Sequence, residues 1–175
     1  ENIPVDYLSE KYNVVEFNTA VKPYYFEYLL SKGFDIVHYL DPDIEVFKDF
    51  SELDELLNQY NIILTPHLST PLDIDGKLPD ESWLIIFGLY NLGYLGVGNT
   101  STGREIMKWW KERVYHYGKA GNGLFVDQKW MNRAPLLFPE QSRCARVISG
   151  VSPPMAAVYR VKYPPRQLVE CLSTF

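Results

Sequence analysis

Cysteine is nearly absent from this chain, with two in 175 residues, Cys144 and Cys171. They show neither metal-ligand spacing nor a secreted disulfide framework, so a reducing, cytoplasmic location is expected. Histidine is almost as scarce. His38, His67 and His116 do not fall at zinc-site spacing. Basic residues are in deficit too: 17 Lys and Arg against 22 Asp and Glu leave a net charge of −5. With no Lys/Arg cluster to offset it, that charge argues against a nucleic-acid partner. No apolar run approaches a membrane span and no signal peptide is visible, so membrane association is not evident. Gly93, Gly96 and Gly98 have the wrong spacing for a dinucleotide fingerprint, and no Gly-Lys-Ser/Thr exists. The Gly-x-Ser-x-Gly elbow of serine hydrolases is missing as well.

What remains is the composition of one globular domain with a sizeable core, 46% hydrophobic and 22% charged. Thirteen Tyr, nine Phe and four Trp make it aromatic-rich. An ordinary aromatic core accounts for most of them, although sugar-handling proteins share the bias.

The informative stretch is Ile36 to Asp43. Apolar residues dominate Ile36 to Leu40, as in a central strand covered on both faces. Asp41-Pro42-Asp43 then stops it, because Pro42 cannot donate to a ladder and biases Asp41 towards extended backbone. In an extended segment residues i and i+2 point the same way, so both carboxylates can seat a divalent cation. Asp73-Ile74-Asp75 repeats the spacing within a polar run and serves as a control. It lacks a preceding strand, and Leu84 stands where a calcium loop of about twelve residues needs its glutamate.

Elsewhere, Tyr12 to Phe17 reads as a strand, and Asn18-Thr19 as the cap of a helix carrying Pro23 in its first turn and ended by Gly33. Tyr25, Tyr28 and Leu29, with Val21 and Phe26 more loosely, recur at helical spacing along it. Ser51 is expected to cap a helix to about Tyr60. Ile62 to Thr65 reads as a strand cut by Pro66-His67, and 69 to 80 as a loop; Glu81 to Phe87 fits a helix or an extended segment equally. Tyr90 to Val97 reads as a strand. Ser101 or Thr102 then caps an amphipathic helix to about Tyr117, with Ile106, Trp109, Trp110, Val114 and Tyr117 inward. Leu124 to Met131 reads as helical. The alternation makes the class α/β. From about Ser142 the prolines, arginines and both cysteines give no clean period, so 1–141 is expected as the domain and 142–175 as a divergent, poorly ordered tail.

Among polar candidates, His38 falls within the strand and His116 late in a helix, where structural roles are expected. His67, just past a strand end, is placed to line the crevice of Asp41. Asp127-Gln128 pairs a carboxylate with an amide, which suits sugar hydroxyls, with Trp130 available to stack on a sugar face. A solvated helix start with Trp130 in the core is the plainer reading.

The segments YLDPDIEVF, ILTPHL, YNLGYLGV, the Trp-Trp helix and LFVDQKWMN, preceded by FNTAVKPYYFEYLLSKGFD, occur in that order. Together, over about Val14 to Pro139, they resemble bacterial nucleotide-sugar glycosyltransferases of the GT-A fold, family-eight-like enzymes with an Asp-x-Asp pair. The resemblance implies a Rossmann-like mixed sheet flanked by helices. It also implies an N-terminally incomplete domain, because the family's base-gripping strand precedes the matched helix. It implies Mn2+ or Mg2+ on Asp41 and Asp43, bridging the donor diphosphate. Asn91 and Gly93 would lie near the donor sugar, Asp127 and Gln128 would contact donor or acceptor hydroxyls, and Lys22 would face the donor. The family's third metal ligand, often a histidine beyond the Asp-Gln pair, has no match here. The expected partners are a nucleotide-sugar donor and a saccharide, glycolipid or protein acceptor. Two other functions remain open: a non-catalytic carbohydrate-binding remnant, and a glycoside hydrolase using Asp41 or Asp43 with Asp127.

Overall fold

The computed structural model describes residues 3–68, 70–78 and 80–138, together with the backbone of 159–161. The tail expected to be poorly ordered therefore lies outside the described residues, apart from that short strand.

Two helices open the chain, α1 (Val5–Lys11) and α2 (Val14–Ala20). The strand expected over 12–17 is not formed. Asn13 instead closes a capping box: its side chain accepts from the Glu16 N–H at 2.9 Å, and Glu16 accepts from the Asn13 N–H at 3.1 Å. Both bonds satisfy donors that a helix start leaves orphaned, which outweighs the β-branched Val14 and Val15. Glu16 also accepts from the Ala120 N–H at 2.8 Å, tying α2 to a distant loop. Replacing Asn13 by alanine is expected to cost about 1 kcal/mol, read as a lowered urea midpoint at constant slope.

α3 (Lys22–Ser31) carries Pro23 in its first turn, as expected, and Gly33 follows it at φ 90°. Its buried face differs from expectation: Lys22, Pro23, Phe26 and Leu30 point inward, whereas Tyr25 and Tyr28 are exposed. The lysine and proline extend the inward stripe back to the helix start, and a reading limited to apolar residues misses that rotation.

β1 (Ile36–Leu40), β3 (Ile62–Pro66) and β4 (Tyr90–Gly98) form a three-stranded sheet in the order β1-β4-β3. Both ladders are antiparallel, so β1 and β3 run the same way with β4 reversed between them. The class is mixed α/β. Among the described strands β1 is at an edge, and in it only Val37 is fully buried; the doubly covered central strand is β4. β2 (Ile44–Val46) pairs antiparallel with β5 (Tyr159–Val161).

α4 (Ser51–Leu57) starts one residue after Phe50, and Asp49 rather than Ser51 supplies the side-chain acceptor, taking the Ser51 N–H at 2.9 Å. Glu81–Phe87 is a helix, α5, capped by Asp80. α6 (Ser101–Tyr117) is capped by Thr100, which accepts from the Gly103 N–H at 2.9 Å, rather than by Ser101 or Thr102. Ile106, Trp110 and Val114 are buried as expected, but Tyr117 is exposed. The helix expected over 124–131 shrinks to α7 (Gln128–Met131), because Asn122 and Val126 adopt positive φ ahead of it. α8 (Ala134–Leu137) follows.

The core has two parts, one on each face of the sheet. The larger joins Phe26, Leu30, Val37, Leu64, Leu95, Val97, Ile106 and Trp110, and the smaller joins Leu53, Leu57, Ile63 and Tyr94. Along β4 the parity of the larger cluster changes, from Tyr90 and Leu92 to Leu95 and Val97. The pairing explains it. Asn91 stands opposite Thr65 and Leu95 opposite Leu64, so residues 92–94 bulge from the β3 ladder. That bulge shapes the candidate site.

Candidate functional site

The end of β1, the start of α3, the bulge of β4 and the turn before α7 meet at one place. The β1 ladder continues one step past Leu40, where the Asp41 N–H donates to the Gly93 carbonyl at 2.7 Å. On the bulge, the Gly93 N–H donates to Asn91 Oδ1 at 2.7 Å, fixing that amide. At Gly93 a side chain would displace the polar groups of the site. A Cβ there would lie 2.8 Å from Asn91 Oδ1 and 3.2 Å from Asp41 Oδ2. The Leu92 carbonyl, displaced from the β3 ladder, accepts from Lys22 Nζ at 3.2 Å.

Lys22 is the hub. Its ammonium lies 3.6 Å from Asp41 Oδ1 and 3.4 Å from Asp127 Oδ2, and over the ring of Tyr39, 4.6 Å from its centroid. The Lys22 and Asp127 side chains are only 7% and 3% exposed, whereas that of Asp41 is 37% exposed and opens the cluster to solvent. Burial pulls the Lys22 pKa down, but the carboxylates of Asp127 and Asp41 overcome it and leave the ammonium above its ordinary value. Burial pushes Asp127 above the usual carboxylate range, with Lys22 opposing. Asp127 Oδ2 is buried without a well-directed hydrogen bond, although the ion pair to Lys22 holds it.

Asp127 reaches this position through a strained turn. Val126, immediately before it, has φ 39°, an outlier for a β-branched residue that costs about 1–3 kcal/mol. Trp110 of α6 offsets that strain from inside the core, donating its indole N–H to the Asp127 carbonyl at 3.2 Å.

Lys22, Asp41, Asn91, Gly93 and Asp127, singled out in the sequence, thus converge. The contacts of Gln128 run elsewhere: its Nε2 donates to the Phe87 carbonyl at 3.0 Å, at the end of α5. Asp43 follows Asp41 not along the expected extended segment but across a turn closed by the Ile44 N–H donating to the Asp41 carbonyl at 3.0 Å, so the i, i+2 alignment of the two carboxylates is not formed. Asp43 is half-buried and without a hydrogen bond or ion pair among the described residues. Trp130 donates to the Tyr117 carbonyl at 3.3 Å and packs at the edge of the core. His67 lies just past β3, its N–H donating to the Leu89 carbonyl at 3.0 Å, and burial lowers its pKa. His38 is held between the Tyr94 hydroxyl at 3.0 Å and Asp54 at 2.8 Å. Ile74 of the control triplet is fully exposed, and Asp75 pairs with Lys77.

Sequence reasoning missed Tyr39. Its hydroxyl donates to Asp41 Oδ1, and burial leads the causes that raise its pKa to about 12. The signal was present, since residues 39 and 41 share one face of an extended strand.

A divalent cation fits this donor set in part. Asp41 Oδ2 and the Asp43 carboxylate are hard donors free of other hydrogen bonds among the described residues, and the missing Cβ of Gly93 leaves space beside Asp41 Oδ2. No group of three His, Cys, Asp or Glu able to hold a metal occurs among the described residues. A cation here would take its remaining ligands from water and substrate oxygens, as Mg2+ commonly does. No helix among the described residues is long and apolar enough to cross a membrane. Compared with family models, with curated proteins and with solved structures, the chain matches none.

Proposed function

We propose that the protein is a metal-dependent glycosyltransferase, or part of one, on a GT-A-like framework. It would move a sugar from a nucleotide donor to a glycan, lipid-linked or protein acceptor. The observation that carries this reading is the meeting of Lys22, Asp41, Asn91, Gly93 and Asp127, distant in sequence, around one half-open cluster. The scarcity of cysteine supports a cytoplasmic setting.

In this reading Asp41 and Asp43 hold Mn2+ or Mg2+. When bound, the ion supplies Lewis-acid stabilisation of charge on a leaving diphosphate. The chain's own residues do the rest. The Tyr39 hydroxyl occupies Asp41 Oδ1 and so orients the carboxylate. Lys22 keeps two carboxylates from repelling each other and fixes the positive charge on the buried side. Asn91, its oxygen held by the Gly93 N–H, is left with its Nδ2 as donor to a sugar hydroxyl. Asp127 is positioned to accept from another.

Calorimetric titration of nucleoside diphosphates into the intact protein, with and without Mn2+, tests this. Asp41→Asn and Asp43→Asn are each expected to weaken metal-dependent binding by at least about tenfold, the loss typical of partners that merely orient a ligand. Undiminished binding in both variants would remove the metal site. The two-carboxylate donor set favours a second reading, a saccharide-binding domain without turnover. It predicts saccharide binding indifferent to Mn2+ and no donor hydrolysis.

A further inference from the structure

α3 and α6 pack side by side, and their outer faces border a half-open hollow of about 310 Å3 lined by Tyr24, Glu27, Tyr28, Ser31, Arg104 and Lys108. On α3 the lining residues fall at i, i+3, i+4 and i+7, one continuous face, and on α6 at i and i+4. None of them takes part in the carboxylate cluster. We infer that this hollow is a binding site for an acidic saccharide, one whose sugar rings carry carboxylate groups.

Charge argues for an anion. Arg104 and Lys108, one turn apart, have Cβ atoms about 5–6 Å from each other, a spacing that brackets a single carboxylate. Lys108 has no ion pair or hydrogen bond among the described residues. The one acid in the lining, Glu27, is already engaged by Lys111. The charged groups of the lining are therefore net positive, on a mostly apolar wall and in a chain whose net charge is −5.

Arg104 is also preorganised. Its Nη1 donates to Asn99 Oδ1 at 2.8 Å, and Asn99 Nδ2 in turn donates to the Leu30 and Phe34 carbonyls at 3.0 and 2.8 Å. The guanidinium is thus held against the end of α3 before any ligand arrives, which reduces the ordering cost of binding. A guanidinium whose other N–H groups have no partner among the described residues suits a planar carboxylate.

The remaining wall argues for a sugar. Tyr24 and Tyr28 present aromatic rings with polar tips, able to meet both the C–H face and the hydroxyls of a pyranose. Lys32 lies 5.1 Å from the Tyr28 ring centroid and Lys111 lies 5.6 Å from that of Tyr24, so both rings are anchored by cations. The volume is at the small end of ligand pockets, about 300–1,000 Å3, room for one or two sugar rings. In the proposed reaction such a site would hold the acceptor chain. The acceptor role rests on the proposed function, whereas the binding itself does not.

The test is calorimetry of the intact protein with an oligogalacturonate, and with a neutral oligoglucoside of equal length. The acidic probe is expected to bind, more weakly as salt rises, and the neutral one to bind at least about tenfold less tightly. Arg104→Gln with Lys108→Gln, both exposed positions, should weaken the acidic probe by about tenfold or more, and Tyr28→Ala by several-fold. Unchanged circular dichroism melts would exclude unfolding as the cause. The inference fails if the acidic probe does not bind, if the double variant binds it undiminished, or if inorganic phosphate competes at equal concentration. Loss of binding on Asp41→Asn would also overturn it, by moving the probe to the carboxylate cluster. Mn2+-dependent nucleoside diphosphate binding, measured in the double variant, reports separately on the proposed function and should be unaffected.

Discussion

Replacing Lys22 by methionine should lower stability by about 3–5 kcal/mol, the usual consequence of removing one partner of a buried ion pair. In a domain of this size that corresponds to a fall in Tm of the order of 10 °C. The stem packs much as before, so the loss falls on Asp127, left at 3% exposure without its cation. The pH dependence gives the effect its signature. In the wild type the Lys22 pKa is raised above 10.5, so its contribution is complete below about that pH and is lost as pH climbs through the folded value. The variant lacks this alkaline limb. Asp127, already raised above 3.8 by burial, rises further once Lys22 no longer opposes. A raised carboxyl stabilises the fold only while protonated, so the variant should approach the wild type in acid and fall behind towards neutral pH. Thermal melts between about pH 4 and 11 check both limbs. An equally stable variant at neutral pH would mean that Asp127 is already protonated in the native protein.

Trp110→Ala should be nearly as damaging, at about 3–5 kcal/mol, because it opens a large cavity in the main core. The indole is completely buried among residues from the sheet and from α3. Its N–H also holds the carbonyl of Asp127, so the damage reaches the site. Trp110→Phe separates the two effects. It keeps most of the packing and loses the hydrogen bond, worth about 1 kcal/mol. Denaturant unfolding of both variants measures the stability difference. Nucleoside diphosphate titration should show the phenylalanine variant still binding, though less tightly.

Where apolar runs were long or bounded by clear breakers, local pattern was enough to place an element. β1, β3, β4 and α6 emerge within a residue or two of where their sequences put them. Tyr12 to Phe17 went the other way because two signals competed there. β-branched residues suggested a strand, while Asn13 and Glu16 formed a capping box that was legible at its spacing. The placement of β1 at an edge was not legible, because an apolar pentapeptide carries no record of which strands flank it. Nor did the run Leu124 to Met131 announce that Val126 would adopt positive φ. In the site, local pattern was enough to read a strand ending in Asp41, whereas Lys22 was singled out by the family resemblance alone. Lys22 looks like a surface residue at a helix start until the bulge at Leu92 turns a carbonyl towards it.

The strand order also sets a timetable. β1 and β3 run parallel, and neither pairs with the other; each takes its described partner from β4, which follows both in sequence. During synthesis from the N-terminus, two apolar strands therefore emerge before the strand that joins them. Until Gly98 has left the ribosome the nascent chain carries unpaired edges, and α6, whose buried residues join the larger core cluster, comes later still. The vulnerable interval runs from the emergence of β1 to that of β4, and the last strand of the three-stranded sheet to be made is the one that closes it.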